Sequence, residues 1–133
     1  MSTHSPILRF ASDVFPLVPE EDAETAPGVY GLSLSRWLEL QLRTAGHDAE
    51  EPFPNEYGWC VPVGDGEHRL YVGCCNGDEA GMRWEVFAFV DTGVFGAVVD
   101  DTARQAALLR LFEALRAVLA TAPEVRDLQA GTG

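Results

Sequence analysis

Three thiols and three imidazoles are the groups in this sequence that could support nucleophilic, redox or metal chemistry: Cys60, Cys74, Cys75, His4, His47 and His68. Cys74 and Cys75 are adjacent. Neighbouring residues of a strand point to opposite faces, so these two thiols do not converge. No Cys-x-x-Cys spacing is present, and a zinc site needs about four converging ligands. A cysteine or serine nucleophile needs a base within reach. His4 lies near the start of the chain, His47 follows the helix-ending Gly46, and His68 stands beside a turn; no spacing ties any of them to a thiol. Gly-x-Ser-x-Gly and the glycine-rich phosphate loops are absent.

Asp91-Thr92-Gly93 follows an apolar run, as the catalytic Asp-Thr-Gly of retroviral-type aspartic proteases does. That chemistry requires two carboxylates sharing a proton. It also requires β-structure after the triplet, whereas a long helical pattern follows here. Asp and Gly are ordinary turn residues, and the triplet is read as a turn. Asp91, Asp100 and Asp101 do not match the EF-hand pattern. The last two precede a helix, where carboxylates cap backbone N–H groups and favour the helix dipole. No catalytic, cofactor-binding or metal-binding residue is assigned from the sequence.

Two helices are expected. Leu34, Trp37, Leu38, Leu42 and Ala45 form one stripe at helical period, with Ser33 as N-cap and Gly46 as the stop. Leu108, Leu111, Phe112, Leu115, Val118, Leu119 and Ala122 form a second, opened by the capping-box pair Thr102 and Gln105 and ended by Pro123. Between them the period changes to two. Residues 57–63, 69–75 and 82–90 alternate as strands, with Gly64-Asp65-Gly66-Glu67 and Asn76-Gly77 as turns. Pro62 predicts an edge or a bulge. Ile7 to Phe10 predicts a further strand, and Val125 with Leu128 another.

The expected fold is therefore α+β: an antiparallel sheet, built as a three-stranded meander plus one or two short strands, with two helices packed on one face. A ferredoxin-like variant is one arrangement of this order. Residues 1–133 read as a single domain of one core, with 1–5 and 130–133 mobile.

The charge is lopsided: 21 acidic residues face nine basic ones, all Arg, for a formal net charge of -12. Nucleic acid is excluded as a partner, because its binding relies on cations that displace phosphate counterions. Anionic membrane surfaces are excluded on the same ground. Met1 to Pro6 lacks the pattern of a signal peptide, no apolar run is long enough to span a bilayer, and an odd cysteine count fits free thiols. A cytoplasmic location is expected.

Two acidic loops stand out: Glu20, Glu21, Asp22 and Glu24 in one, Asp48, Glu50, Glu51 and Glu56 in the other. On the third meander strand, Phe87 and Phe89 lie opposite Trp84, so the sheet is apolar on both faces. Such a face is covered by the rest of the chain or meets a partner. Phe10, Val14, Phe15 and Leu17 are the expected cover. The functional expectation is a protein-binding module, of inhibitor, chaperone or immunity type, for a basic partner; a homodimer is a further form. The competing expectation is a ligand-binding domain or enzyme with a cleft near Tyr57 and Trp59.

Overall fold

A computed structural model describes residues 4–65, 68–90 and 101–131. The triplet at Asp91, the segment 93–99, Asp100 and the turn at Gly66-Glu67 lie outside the described residues, as do the side chain of Asp101 and the extreme ends of the chain. The architecture is α+β, with two helices and one open antiparallel sheet of seven strands. The strands are β1 (Ile7–Ala11), β2 (Asp48–Ala49), β3 (Phe53–Asn55), β4 (Gly58–Asp65), β5 (His68–Asn76), β6 (Arg83–Val90) and β7 (Arg126–Gly131). The helices are α1 (Leu32–Thr44) and α2 (Asp101–Thr121).

The strand order is β2-β4-β5-β6-β1-β7, with β3 also pairing β4. Two more strands are present than the sequence predicts. β2 and β3 lie in the stretch read as an acidic loop, and each is only two or three residues long. Pro52 interrupts them and Pro54 sits inside β3, so no alternation reveals them; pairing to β4 alone holds them as strands. Pro62 is not at the sheet edge. Its carbonyl accepts from the Glu50 N–H at 2.9 Å. The missing N–H faces the same side, where β2 has ended and β3 has not begun, so no ladder bond is lost.

A ferredoxin-like plan uses both helices as crossovers between strands that flank a third. Only α2 makes that connection, from β6 to β7 on either side of β1. α1 leads instead into β2–β4, at the far end of the sheet.

Both helices pack on one sheet face. Leu34, Leu38 and Leu42 of α1 join Leu111, Phe112 and Leu115 of α2 over Val61, Val72, Trp84 and Val86. Trp37 is half-buried rather than buried and donates its Nε1–H to Glu124 at 3.2 Å. The C-terminus of α1 follows its expectation: Gly46 takes φ 94, and the His47 N–H returns to the Leu42 carbonyl at 2.9 Å. The N-terminus does not. Gly31, not Ser33, is the N-cap, and Ser33 donates to the Pro16 carbonyl at 2.8 Å.

Ser5 exchanges hydrogen bonds with Ala88, and Ala130 and Gly131 pair with Leu8 and Ile7. Among the described residues no helix is long and apolar enough to cross a membrane.

Candidate functional site

Strand alternation sends one set of side chains to the helices and the other to the opposite face. Across that second face the register aligns Ile7, Phe87, Gly73, Cys60 and Phe53 in one row, and Phe89, Tyr71 and Pro62 in the next. Aromatic rings therefore run in a chain. Phe53 meets Tyr71 edge-on at 5.8 Å, Tyr71 stacks on Phe89 at 5.3 Å, and Phe89 lies 5.7 Å from Phe87. His4 closes the series, edge-on to Phe87 at 6.3 Å.

The expected cover from the N-terminal segment is on the other side. Phe10 and Phe15 are buried in the helix-side core, where Phe15 meets Trp37 at 5.3 Å and Trp84 at 6.0 Å. The physical reason is register. Phe10 pairs with Trp84, so both side chains share a face, and the chain after β1 continues on that side. Among the described residues His4 reaches this face from the N-terminal segment, against Phe87 and bridged to Phe89, and both Phe side chains are half-buried.

A cavity of about 460 Å³ opens at this face. Phe87 and Phe89 form one side, and Asn55 and Tyr57 the other. Gly73 and Cys60 lie between them, with His4 at one end. Gly73 is what lets the ring of Phe87 lie flat on the sheet: a Cβ there would stand 2.7 Å from the ring. Trp59 also lines the cavity, yet it is only 5% exposed and its Nε1–H is sealed from solvent, with no acceptor among the described residues.

The polar groups of the cavity are few and held. The Asn55 carbonyl oxygen accepts from the backbone N–H groups of Tyr57 and Gly58, at 2.9 and 3.0 Å, and Nδ2 donates to the Cys60 sulfur at 3.1 Å. The His4 Nδ1 contacts the Ser5 carbonyl at 2.8 Å, so Nδ1 carries the proton, and in the neutral ring Nε2 is an acceptor. Burial pushes the Cys60 thiol up to about 11, which makes it a poor nucleophile near neutrality. Cys75 is also raised to about 11, by burial first and then by Glu85, whose carboxylate it approaches at 3.9 Å. Cys74, on the helix side, is fully buried and raised further. Among the described residues no three His, Cys, Asp or Glu side chains converge on a point that could hold a metal ion.

The sequence-derived acidic residues separate into two groups. Glu21 is only 4% exposed and acts inside the fold. One carboxylate oxygen accepts from the Gly31 and Leu32 N–H groups at 2.8 and 3.0 Å; the other accepts from Val18 at 2.7 Å. It thus caps α1 from ten residues away. Asp22 accepts from the Gly28 N–H and the Tyr30 hydroxyl, at 3.1 and 3.3 Å. Glu20, at φ 70, and Glu24 are exposed at either end of this turn.

In the second loop Asp48, Glu50, Glu51 and Glu56 are all exposed. Glu50 pairs with Arg69 at 3.1 Å. Glu51 and Glu56 make no ion pair or hydrogen bond among the described residues, and they flank β3, whose Phe53 and Asn55 border the aromatic face and the cavity. Phe53 and Asn55 have no sequence signal of their own, and Cys60 and His4, although singled out for their chemistry, carry no spacing that joins them to this face; strand pairings and a bridge far apart in the chain bring the four together.

No protein-family model, curated protein or solved structure matches this chain.

Proposed function

We propose that the protein is a protein-binding module that takes a basic partner on the second face of its sheet. The carrying observation is the chain of rings from Phe53 through Tyr71 and Phe89 to Phe87, on the sheet face opposite the two helices, which borders the acidic stretch 48–56. Aromatic surface supplies the anchors of an interface, while an unpaired acidic rim speeds encounter with a cationic partner more than it strengthens the final complex. An inhibitor, chaperone or immunity-type protein is the form such a module would take.

The test compares partner capture by the wild-type protein with capture by Phe89→Ser and by a variant carrying Glu51→Gln and Glu56→Gln. The expected result is a basic polypeptide retained by the wild type and lost with Phe89→Ser. Its association is slower for the Glu variant, chiefly at low ionic strength, with dissociation little changed. Capture that ignores both variants overturns the proposal. A second reading, a small-ligand domain with its cleft at Tyr57 and Trp59, is favoured by the cavity itself, whose volume of about 460 Å³ lies in the range of small-molecule sites. A ligand of that kind would bind equally well to the Glu51 and Glu56 variant.

A further inference from the structure

The cavity differs from the rest of the face in having depth, and its lining restricts what can enter. We infer that it is the anchor pocket for one aromatic side chain with a polar tip, Trp or Tyr, flanked by basic residues in the partner. This inference rests on the face being a partner-docking surface. Among the described residues no Arg or carboxylate lines the cavity, so a charged group inserted there would lose its water without gaining a counter-ion from them. The walls are aromatic: Phe87 and Phe89 on one side, Tyr57 on the other. Offset and edge-on ring contacts favour an aromatic guest over an aliphatic one.

Two polar atoms select the tip. With the His4 Nδ1–H committed to the Ser5 carbonyl, Nε2 is the ring nitrogen left to meet the guest. The Asn55 amide spends one N–H on the weak acceptor sulfur of Cys60 and has a second left over. An indole N–H or a phenol hydroxyl can meet such groups, whereas a phenylalanine cannot. The residues next to the anchor in the partner would lie over β3 and its flanks, where Glu51 and Glu56 are exposed and have no ion pair among the described residues. Charge complementarity therefore places basic residues there.

The experiment titrates isotopically labelled full-length protein with short peptides and follows backbone amide shifts. The reference peptide has Trp between two pairs of Arg. It is expected to shift the amides of His4, Gly73 and Phe87. Replacing Trp by Ala should weaken binding at least about tenfold, the effect of losing one buried aromatic side chain. Replacing Trp by Phe should weaken it about two- to tenfold, through the lost hydrogen bond. Exchanging the Arg pairs for Glu should weaken it further. In the protein, Tyr57→Ala should weaken the Trp peptide about two- to tenfold. Tyr57 is 71% exposed, so this variant keeps the fold.

Equal binding of the Trp and Ala peptides, or shifts that spare Gly73 and Phe87, overturns the anchor pocket. Shifts confined to Phe53, Tyr71 and Phe89 in that case leave the docking face standing. Free indole binding as tightly as the peptide would also overturn the inference, because the site would then serve a small aromatic ligand rather than a partner's side chain.

Discussion

Replacing Glu21 by Gln tests whether an acidic residue in a surface-like sequence is in fact an internal strut. The carboxylate accepts three backbone N–H groups. A glutamine can keep its carbonyl where it serves Gly31 and Leu32, but its amide then turns donors toward the Val18 N–H. One charge-assisted bond is lost, a donor is left facing a donor, and two remaining bonds become neutral. Hydrogen bonds to a charged group contribute about 1.5–3 kcal/mol, against about 1 kcal/mol for neutral ones. The carboxylate also interacts favourably with the positive end of the α1 dipole, a further several tenths of a kcal/mol. Taking the low end of each range, the expected loss is about 3 kcal/mol for Glu21→Gln and about 5 kcal/mol for Glu21→Ala, which removes every acceptor. Urea unfolding followed by tryptophan fluorescence measures it, and the midpoint should fall by on the order of 1–2 M. Glu20→Gln and Glu24→Gln are the controls, each expected within about 0.5 kcal/mol of the parent because both side chains are exposed. A Glu21→Gln midpoint equal to that of Glu20→Gln would refute the capping role.

Trp59→Phe removes an indole N–H that is sealed without an acceptor, so its unfolding free energy should change by less than about 1 kcal/mol, while Trp84→Phe loses the Nε1–H bond to the Ser12 carbonyl at 3.2 Å and should cost about 1–3 kcal/mol in the same urea assay. Gly73→Ala places a Cβ against the Phe87 ring and should destabilise by about 1–3 kcal/mol; in a Phe87→Ala background most of that cost should vanish, as a double-mutant cycle would show. All three thiols should titrate as free groups in denaturant and react slowly in the folded protein at pH 8. The folded-state thiol pKa values exceed the unfolded one, so the unfolded chain loses protons first. Stability is then present in full below about pH 9 and should fall as pH rises toward 11, readable as a declining urea midpoint.

The elements that alternate or repeat strongly were legible. Trp84, Val86 and Ala88 against Glu85, Phe87 and Phe89 give β6 and both of its faces, and the leucine stripes give α1 and α2. What was not legible depends on partners distant in the chain. β2 and β3 are too short and too rich in proline to carry a period, and exist only as additions to β4. The cap of α1 is supplied by Glu21, beyond the one-residue window in which a cap is normally sought. The cavity joins His4, Asn55 and Cys60 to Phe87, and the β3–β4, β4–β5 and β5–β6 registers, with the bridge from His4 to Phe89, bring those segments together. Phe15 is the converse case: an apolar residue in an irregular stretch, whose side of the sheet is fixed by where β1 ends.

The position of β1 has a consequence for the order in which the chain folds. The β4–β5 and β5–β6 pairings join strands that follow one another directly, so each closes with little loss of chain entropy. β1 leaves the ribosome before either of its neighbours: its Arg9 meets Glu85 across 76 positions, and its outer side meets Gln129 later still. Until β6 is complete, Leu8 and Phe10 have no ladder to join, and until β7 is complete β1 remains an open edge. The slow step of folding is therefore expected at the insertion of β1 between β6 and β7, not in the strands that alternate most clearly. A conservative Leu8→Val change should then slow refolding, whereas Val72→Ala should act chiefly on unfolding. The same arrangement makes a nascent chain of this protein vulnerable to aggregation through β1, and keeps it so until β7 has emerged.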